Sequence, residues 1–134
     1  DKRQVMNHPS LLVLSAYFLI NAEFMWTAPI AWYDTVPGVA QTGPFNSHFI
    51  KDVALAFLVS SLALVAAARL NDHRLAMFGA AWPCLHAVFH IWIWIAHRNT
   101  AVDVIALTNL LGIQVPAWMA LFAASKLKQE GAQA

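Results

Sequence analysis

Four long apolar stretches, separated by short polar segments, dominate this chain. They predict helices over about 10–30, 48–69, 73–97 and 101–126. At about 1.5 Å per residue, each helix is long enough to cross the roughly 30 Å hydrocarbon core of a bilayer. The polar residues inside these stretches are too few to give the polar outer face of a helix in a soluble bundle. The pattern therefore predicts an all-α, integral membrane four-helix bundle, in which residues 1–134 form a single transmembrane domain.

Composition supports a membrane protein and argues against one that binds nucleic acid. Hydrophobic residues make up 60% of the chain and charged residues 11%, whereas soluble domains average about 25% charged residues. The formal net charge is +1, from eight Lys and Arg against seven Asp and Glu. Such a balance leaves no concentrated basic face for nucleic acid. The single cysteine, Cys84, cannot form an internal disulfide.

The first apolar stretch, Leu11–Ile30, allows two interpretations. A basic, polar lead precedes it, as in a secretory signal peptide, but there is no clear small-x-small cleavage site and apolar residues continue past Glu23. We therefore predict a retained helix. The following segment, 31–47, contains two prolines and two glycines together with Trp32 and Tyr33. This predicts an outer, interfacial loop between the first and second helices.

The basic residues that flank the predicted spans indicate how the chain is oriented. Six would lie at one end of the bundle and two at the other: Lys2, Arg3, Arg69, Arg74, Lys126 and Lys128 against Lys51 and Arg98. Cytoplasmic ends carry the excess of Lys and Arg. The sequence therefore predicts a multi-pass protein of the bacterial inner (cytoplasmic) membrane with both termini in the cytoplasm.

Two histidines interrupt the third apolar stretch. Leu75–Ala96 carries no formal charge, yet His86 and His90 stand four residues apart in it. This spacing places both imidazoles on one face of a helix. An imidazole at membrane depth is costly unless it faces protein, water or a metal. We therefore predict that His86 and His90 face inward and form a cofactor-binding pair.

In the predicted orientation, other ionisable side chains collect in the same outer half of the bilayer. Glu23 lies late in the first helix, and His48 and Asp52 lie one turn apart at the start of the second. Imidazole suits Cu, Zn and Fe, and carboxylates can complete or orient the ligand shell. The sequence thus predicts a transition-metal site (Cu, Zn or Fe) with five candidate ligands: Glu23, His48, Asp52, His86 and His90.

Each of these residues also has a structural interpretation. Asp52 can complement the positive end of its helix dipole, and His48 can be solvated at the interface. Asp103 fits the capping-box pattern Thr100-x-x-Asp103 before an apolar run. His86 and His90 can instead hydrogen-bond within a buried polar or proton network, or simply pack. The tryptophans of the last two helices fit lipid-facing or interfacial positions: Trp82, Trp92, Trp94 and Trp118.

Two prolines are predicted to perturb their helices. Pro83 and Pro116 each follow a glycine by four residues, at Gly79 and Gly112. Proline has no N–H to donate to that glycine's carbonyl, so each helix should bend there.

The order of parts resembles the small four-helix bacterial membrane proteins grouped as DoxX-like. An apolar first helix and a Pro/Gly-rich loop precede a second helix with a charged first turn, FNSHFIKDVALAFLVSSLAL, and a third with a late polar patch, WPCLHAVFH. The likeness spans most of the chain through diffuse motifs and implies a bacterial membrane protein. Quinone-linked sulfur oxidation, in which some DoxX-like members are implicated, is not expected because the chain has no cysteine pair.

A second likeness is local. The segment HAVFHIWIWIAHR is similar to the His-then-Trp helices of the single-span purple-bacterial antenna polypeptides, in which the histidine ligates bacteriochlorophyll. It implies haem or bacteriochlorophyll as alternatives to a metal ion at His86 and His90.

Three functions remain open at this point. The favoured one is a metal- or cofactor-binding accessory subunit that contacts the lipid bilayer and other membrane protein subunits. The second is a membrane oxidoreductase or hydrolase with Glu23 or Asp52 as general base, although the chain has no nucleophile motif or nucleotide-binding loop. The third is a proton or small-solute pathway, but the polar residues stop near the midplane and no internal repeat is evident.

Overall fold

The computed structural model describes residues 8–132, with side chains as far as Leu127. Every regular element in that part is helical: α1 (Pro9–Thr27), α2 (Pro29–Thr35), a 3₁₀ turn (Val39–Thr42), α3 (Ser47–Leu70), α4 (His73–Ala96), α5 (Val104–Asn109), a π turn (Leu110–Gln114) and α6 (Val115–Ala132). Within the same part, four stretches are long and apolar enough to cross a membrane, namely α1, α3, α4 and Val104–Leu127. The all-α fold is confirmed, and each of the four predicted spans corresponds to a helical stretch of sufficient length and apolarity.

Polar side chains fix the ends of α3 and α4, as their sequence positions suggest. The side chain of Asn46 accepts a 3.1 Å hydrogen bond from the backbone N–H of Phe49 and so caps α3. Asn71 ends α3 in the left-handed conformation, with φ of 52°. Asp72 then caps α4, accepting from two backbone N–H groups of its first turn. The reversal between α3 and α4 therefore takes only two residues.

The helices pack as a ring. α1 lies against α3, α3 against α4, and α4 against α6, which returns to α1. Large buried side chains from α1 and α3 fill the centre, including Phe18, Met25 and Leu64. Small residues line the interfaces of α3, α4 and α6, which lets their backbones approach closely: Ala63, Ala67, Ala76, Gly79, Ala80, Ala120 and Ala124.

α3 and α4 approach each other closely at Gly79. A Cβ placed there would lie 2.9 Å from side-chain atoms of Leu64 and 3.1 Å from its backbone nitrogen. Leu64 is fully buried, so it has no free space into which it could move. Glycine is required at this position by packing, because any larger residue would push the two helices apart.

The segment between the first two spans is more ordered than the predicted loop. α1 ends at Thr27 rather than near residue 30, since Pro29 begins the new helix α2 at its first position. The indole of Trp32 donates to the Asn21 side chain at 3.4 Å, and the Tyr33 hydroxyl donates to the Gly43 carbonyl at 2.7 Å. The first bond ties segment 28–46 to α1, and the second folds the segment on itself.

We call the end that carries segments 28–46 and 97–103 the loop end. Gly38, whose backbone has φ of 93°, lies against the Ile105 side chain in the first turn of α5, so the first segment packs on the start of the fourth span. Lys51 and Arg98 lie at this end, whereas Arg69, Arg74 and Lys126 lie at the opposite end. Lys2, Arg3 and the side chain of Lys128, which the predicted orientation also counts, lie outside the described residues.

The helix perturbation predicted at Pro116 takes the form of a π turn. Leu110–Gln114 form i→i+5 bonds just before Pro116, and the Val115 N–H reaches back to the Leu110 carbonyl. Pro116 can give no hydrogen bond to the Gly112 carbonyl, which accepts instead from the Tyr17 hydroxyl on α1 at 2.6 Å. Around Pro83, by contrast, α4 continues as a single helix.

Candidate functional site

Four of the six histidines have ordinary surroundings. At the end opposite the loops, His8 Nε2 lies 2.9 Å from the Asn71 side-chain oxygen, and His73 Nδ1 lies 2.9 Å from the Ala124 carbonyl. His48 and His97 are exposed at the loop end. The remaining two, His86 and His90, lie inside a span. Unlike the other four, they are neither hydrogen-bonded to another described residue nor fully exposed.

His86 and His90 lie side by side on α4. Their ring centroids are 4.5 Å apart, with the planes at 63°. Both residues are partly buried. Since α4 has 24 residues starting at His73, His86 lies about 20 Å from that start and His90 about 9 Å from the helix end at Ala96. The pair therefore lies between the middle of the span and the loop end.

Aromatic rings surround this pair. Trp82, one turn before His86, stacks on its imidazole at 4.8 Å and 14°. Phe57 of α3 meets the Trp82 ring edge-on at 4.7 Å and the His86 ring at 6.1 Å. Phe89 lies 6.0 Å from the His90 ring. We call Phe57, Trp82, His86, Phe89 and His90 the histidine site; Phe57 places it on the side of α4 that faces α3.

Neither imidazole has a polar partner in the described part of the chain. No hydrogen bond or ion pair joins His86 or His90 to another described residue. Among those residues, every fully enclosed side-chain nitrogen or oxygen has a partner, so these ring nitrogens are open to their surroundings. A polar group at bilayer depth without a partner costs several kcal/mol, on the order of 2–7. The histidine site therefore has unmet hydrogen-bonding or ligating capacity.

The other three predicted ligands do not join the pair. Glu23 is exposed, because α1 turns Ala22 and Met25 toward the core instead. His48 Nδ1 and Asp52 Oδ2 are 3.8 Å apart at the start of α3, but their side chains are 87% and 59% exposed. Such a pair contributes little to stability.

Consequently, within residues 8–132 no group of three or more His, Cys, Asp or Glu side chains is placed to hold a metal ion. The predicted five-residue shell is thus not supported. Helix geometry places each i,i+4 pair on one face, but the rotation of each helix about its axis, which packing sets, keeps the pairs apart.

Three residues of the histidine site were not predicted: Phe57, Trp82 and Phe89, the last of which directly precedes His90. Trp82 was expected at a lipid-facing or interfacial position, but it is only partly exposed and packs against the core beside Phe57. The position of Trp82, four residues before His86, was the sequence feature that could have indicated this contact, because residues four apart share a helix face. Nothing in the sequence identified Phe57, because its contribution depends on how α3 packs on α4. Of the other tryptophans, Trp92 and Trp118 are exposed as predicted.

A separate polar network joins α4 to the fourth span. Gln114, at the end of the π turn, donates from Nε2 to the Ala87 carbonyl at 2.8 Å and to the Asn109 side chain at 3.1 Å. Its Oε1 accepts from the Trp118 indole at 3.0 Å. Both the side-chain nitrogen and the side-chain oxygen of Gln114 therefore have hydrogen-bond partners, and neither His86 nor His90 belongs to this network. This network is structural.

An ion pair fixes the loop that follows α4. Arg98 donates two hydrogen bonds to the Asp103 carboxylate, at 3.1 and 2.5 Å. Asp103 is itself the N-cap of α5, so the capping box expected to begin at Thr100 is wrong: Thr100 lies outside the helix with φ of 56°. Hydrogen bonding from Arg98, and then from the Ala106 N–H, lowers the pKa of Asp103 to about 2.

Comparison of the chain with protein-family models, with curated proteins and with solved structures gives no match. The DoxX-like resemblance accordingly stays a prediction from the sequence.

Proposed function

We propose that this protein is a small subunit of the bacterial cytoplasmic membrane whose His86–His90 pair binds a transition metal ion or a metal-containing cofactor. The observation that supports this most is the unmet capacity of the two imidazoles. They lie at membrane depth, adjacent and accessible, without a polar partner among the described residues. A ligand from outside the chain would supply what the fold does not.

The separation of the rings suits one shared ion. A metal lies about 2.0–2.1 Å from an imidazole nitrogen, so roughly 3.2 Å from the ring centroid. Two such rings in adjacent coordination positions place their centroids about 4.5 to 5.5 Å apart. The observed separation is 4.5 Å. The remaining ligands would come from water, a bound molecule or a neighbouring subunit.

The orientation belongs to the same proposal. With both termini in the cytoplasm, the loop end lies on the periplasmic side and His90 lies about 9 Å below it. Because every span exposes large apolar side chains, the protein is suited to lie in the bilayer beside other membrane subunits. An enzymatic role with Glu23 or Asp52 as base has no support from geometry, because both are exposed and apart from the pair.

Metal analysis of the purified full-length chain tests the proposal. We expect about one metal ion or haem per chain, measured by mass spectrometry of the elements and by the visible absorption spectrum. His86→Ala/His90→Ala should lose it. The matched control His48→Ala/His97→Ala changes two exposed histidines and should retain it. Equal content in both variants, or none in the wild type after reconstitution, would overturn the proposal.

A further inference from the structure

The charge environment of the histidine site distinguishes between metal ions. Its two nitrogen ligands are uncharged, and its walls are the rings of Phe57, Trp82 and Phe89. No carboxylate or thiol in residues 8–132 completes a group of three with the pair. An ion bound here by neutral imidazoles keeps its full charge.

The nearest thiol in sequence is directed to another interface. The sulfur of Cys84 donates to the Ala117 carbonyl of α6 at 3.3 Å, whereas the histidines face α3 through Phe57. Cys84 and His86 are two positions apart, about 200° around the helix. A thiolate from this cysteine therefore does not neutralise an ion at the pair.

Full charge matters because the surroundings are apolar. The cost of moving an ion from water into a medium of low dielectric constant rises with the square of its charge, so a divalent ion costs about four times as much as a monovalent one of the same size.

We infer that the histidine site binds a monovalent d¹⁰ ion such as Cu⁺ more tightly than a divalent ion. This inference rests on the proposed function. Cu⁺ and Zn²⁺ have the same number of electrons and differ in nuclear charge. Comparing them therefore probes the charge that the site tolerates. Ag⁺ and Cd²⁺ form a second such pair and undergo no redox change in the assay.

Competition titrations on the full chain in lipid nanodiscs test this inference, with Ag⁺ against Cd²⁺ and Cu⁺ against Zn²⁺. A carboxylate added beside the site should reduce the preference. Phe89 is suitable because it is 53% exposed and contacts His90, so Phe89→Glu introduces charge without opening the core. The matched control is Phe78→Glu, on the same helix and 64% exposed, about 16 Å away along the axis.

We expect the monovalent ion of each pair to bind more tightly than the divalent ion. Phe89→Glu should reduce the ratio of monovalent to divalent affinity by about tenfold or more, whereas Phe78→Glu should leave that ratio unchanged. Divalent binding that equals or exceeds monovalent binding, and that is lost in His86→Ala/His90→Ala, would overturn this inference and leave the proposed function standing. A ratio that Phe89→Glu does not alter would also overturn it. Binding of neither ion through the two histidines would overturn both.

Discussion

The Tyr17 hydroxyl and the Gly112 carbonyl lie 2.6 Å apart, and their hydrogen bond replaces one that the fourth span cannot form. Pro116, four residues after Gly112, has no N–H to donate to that carbonyl. The intervening backbone widens into the π turn Leu110–Gln114. A side chain from α1 thus satisfies a backbone acceptor that would otherwise be unpaired within the membrane.

Replacing Tyr17 tests this relationship. Tyr17→Phe removes the donor while keeping the ring, so we expect the free energy of unfolding to fall by about 0.5–1.5 kcal/mol. Circular dichroism during unfolding in mixed detergent and SDS micelles measures the change. In a Pro116→Ala background, the restored backbone N–H supplies a second donor for Gly112, and Tyr17→Phe should cost less. An equal cost in both backgrounds would contradict this interpretation.

Gly79 and Gly112 should respond differently to the same substitution. At Gly79 an added methyl would come within 2.9 Å of the buried Leu64, so Gly79→Ala should destabilise the bundle by about 1–3 kcal/mol. At Gly112 the nearest atom is the Tyr17 hydroxyl, at an ordinary 3.5 Å. Gly112→Ala should therefore be nearly neutral, or gain up to about 1 kcal/mol from helix propensity. The same unfolding assay compares them, and equal losses would be inconsistent with the close packing of α3 on α4.

The Arg98–Asp103 pair should stabilise the loop end except in strong acid. In the folded protein the pKa of Asp103 is lowered from 3.8 to about 2. Its stabilising effect is therefore complete above pH 3.8 and is lost as the pH falls through 2. Asp103→Asn keeps a good N-cap but loses the ion pair. We expect its melting temperature to lie below that of the wild type by a constant amount from pH 5 to 8, with the gap closing near pH 2. A gap that changes between pH 5 and 8 would assign the effect to another group.

Cysteine labelling tests the proposed orientation. In a Cys84→Ser background, Asn99→Cys introduces a thiol at the loop end and Ser125→Cys introduces one at the opposite end; both positions are exposed. A membrane-impermeant maleimide should label the Asn99→Cys variant in cells whose outer membrane alone is permeable. It should label the Ser125→Cys variant only after the inner membrane is opened. The reverse pattern would place both termini in the periplasm.

The spans and their caps were predictable because they depend on local sequence. Apolar runs of about 20 residues fix the four membrane helices, and Asn46 and Asp72 stand directly before α3 and α4, where their side chains satisfy free N–H groups. The proximity of His86 to His90 was predictable for the same reason, since an i,i+4 pair shares a face within one helix.

The composition of the site was harder to predict because it depends on how helices rotate against one another. The lipid-facing surfaces of these spans are as apolar as their buried surfaces, so the sequence hardly distinguishes the side of α1 that carries Glu23 from the side that carries Phe18. The packing of the helices determines which side of α1 faces the core, and it leaves Glu23 exposed. It also brings Phe57 to His86, a contact between α3 and α4 that no pattern along the chain records.

The central claim is that His86 and His90 hold one ion together, and X-ray absorption spectroscopy of the copper-loaded protein tests it most directly. We predict two nitrogen scatterers at about 2.0 Å, with the outer-shell signal of imidazole rings, in the wild type and in His48→Ala/His97→Ala. Changing either His86 or His90 alone should remove one scatterer. A spectrum without imidazole, or one that neither substitution alters, would contradict the claim.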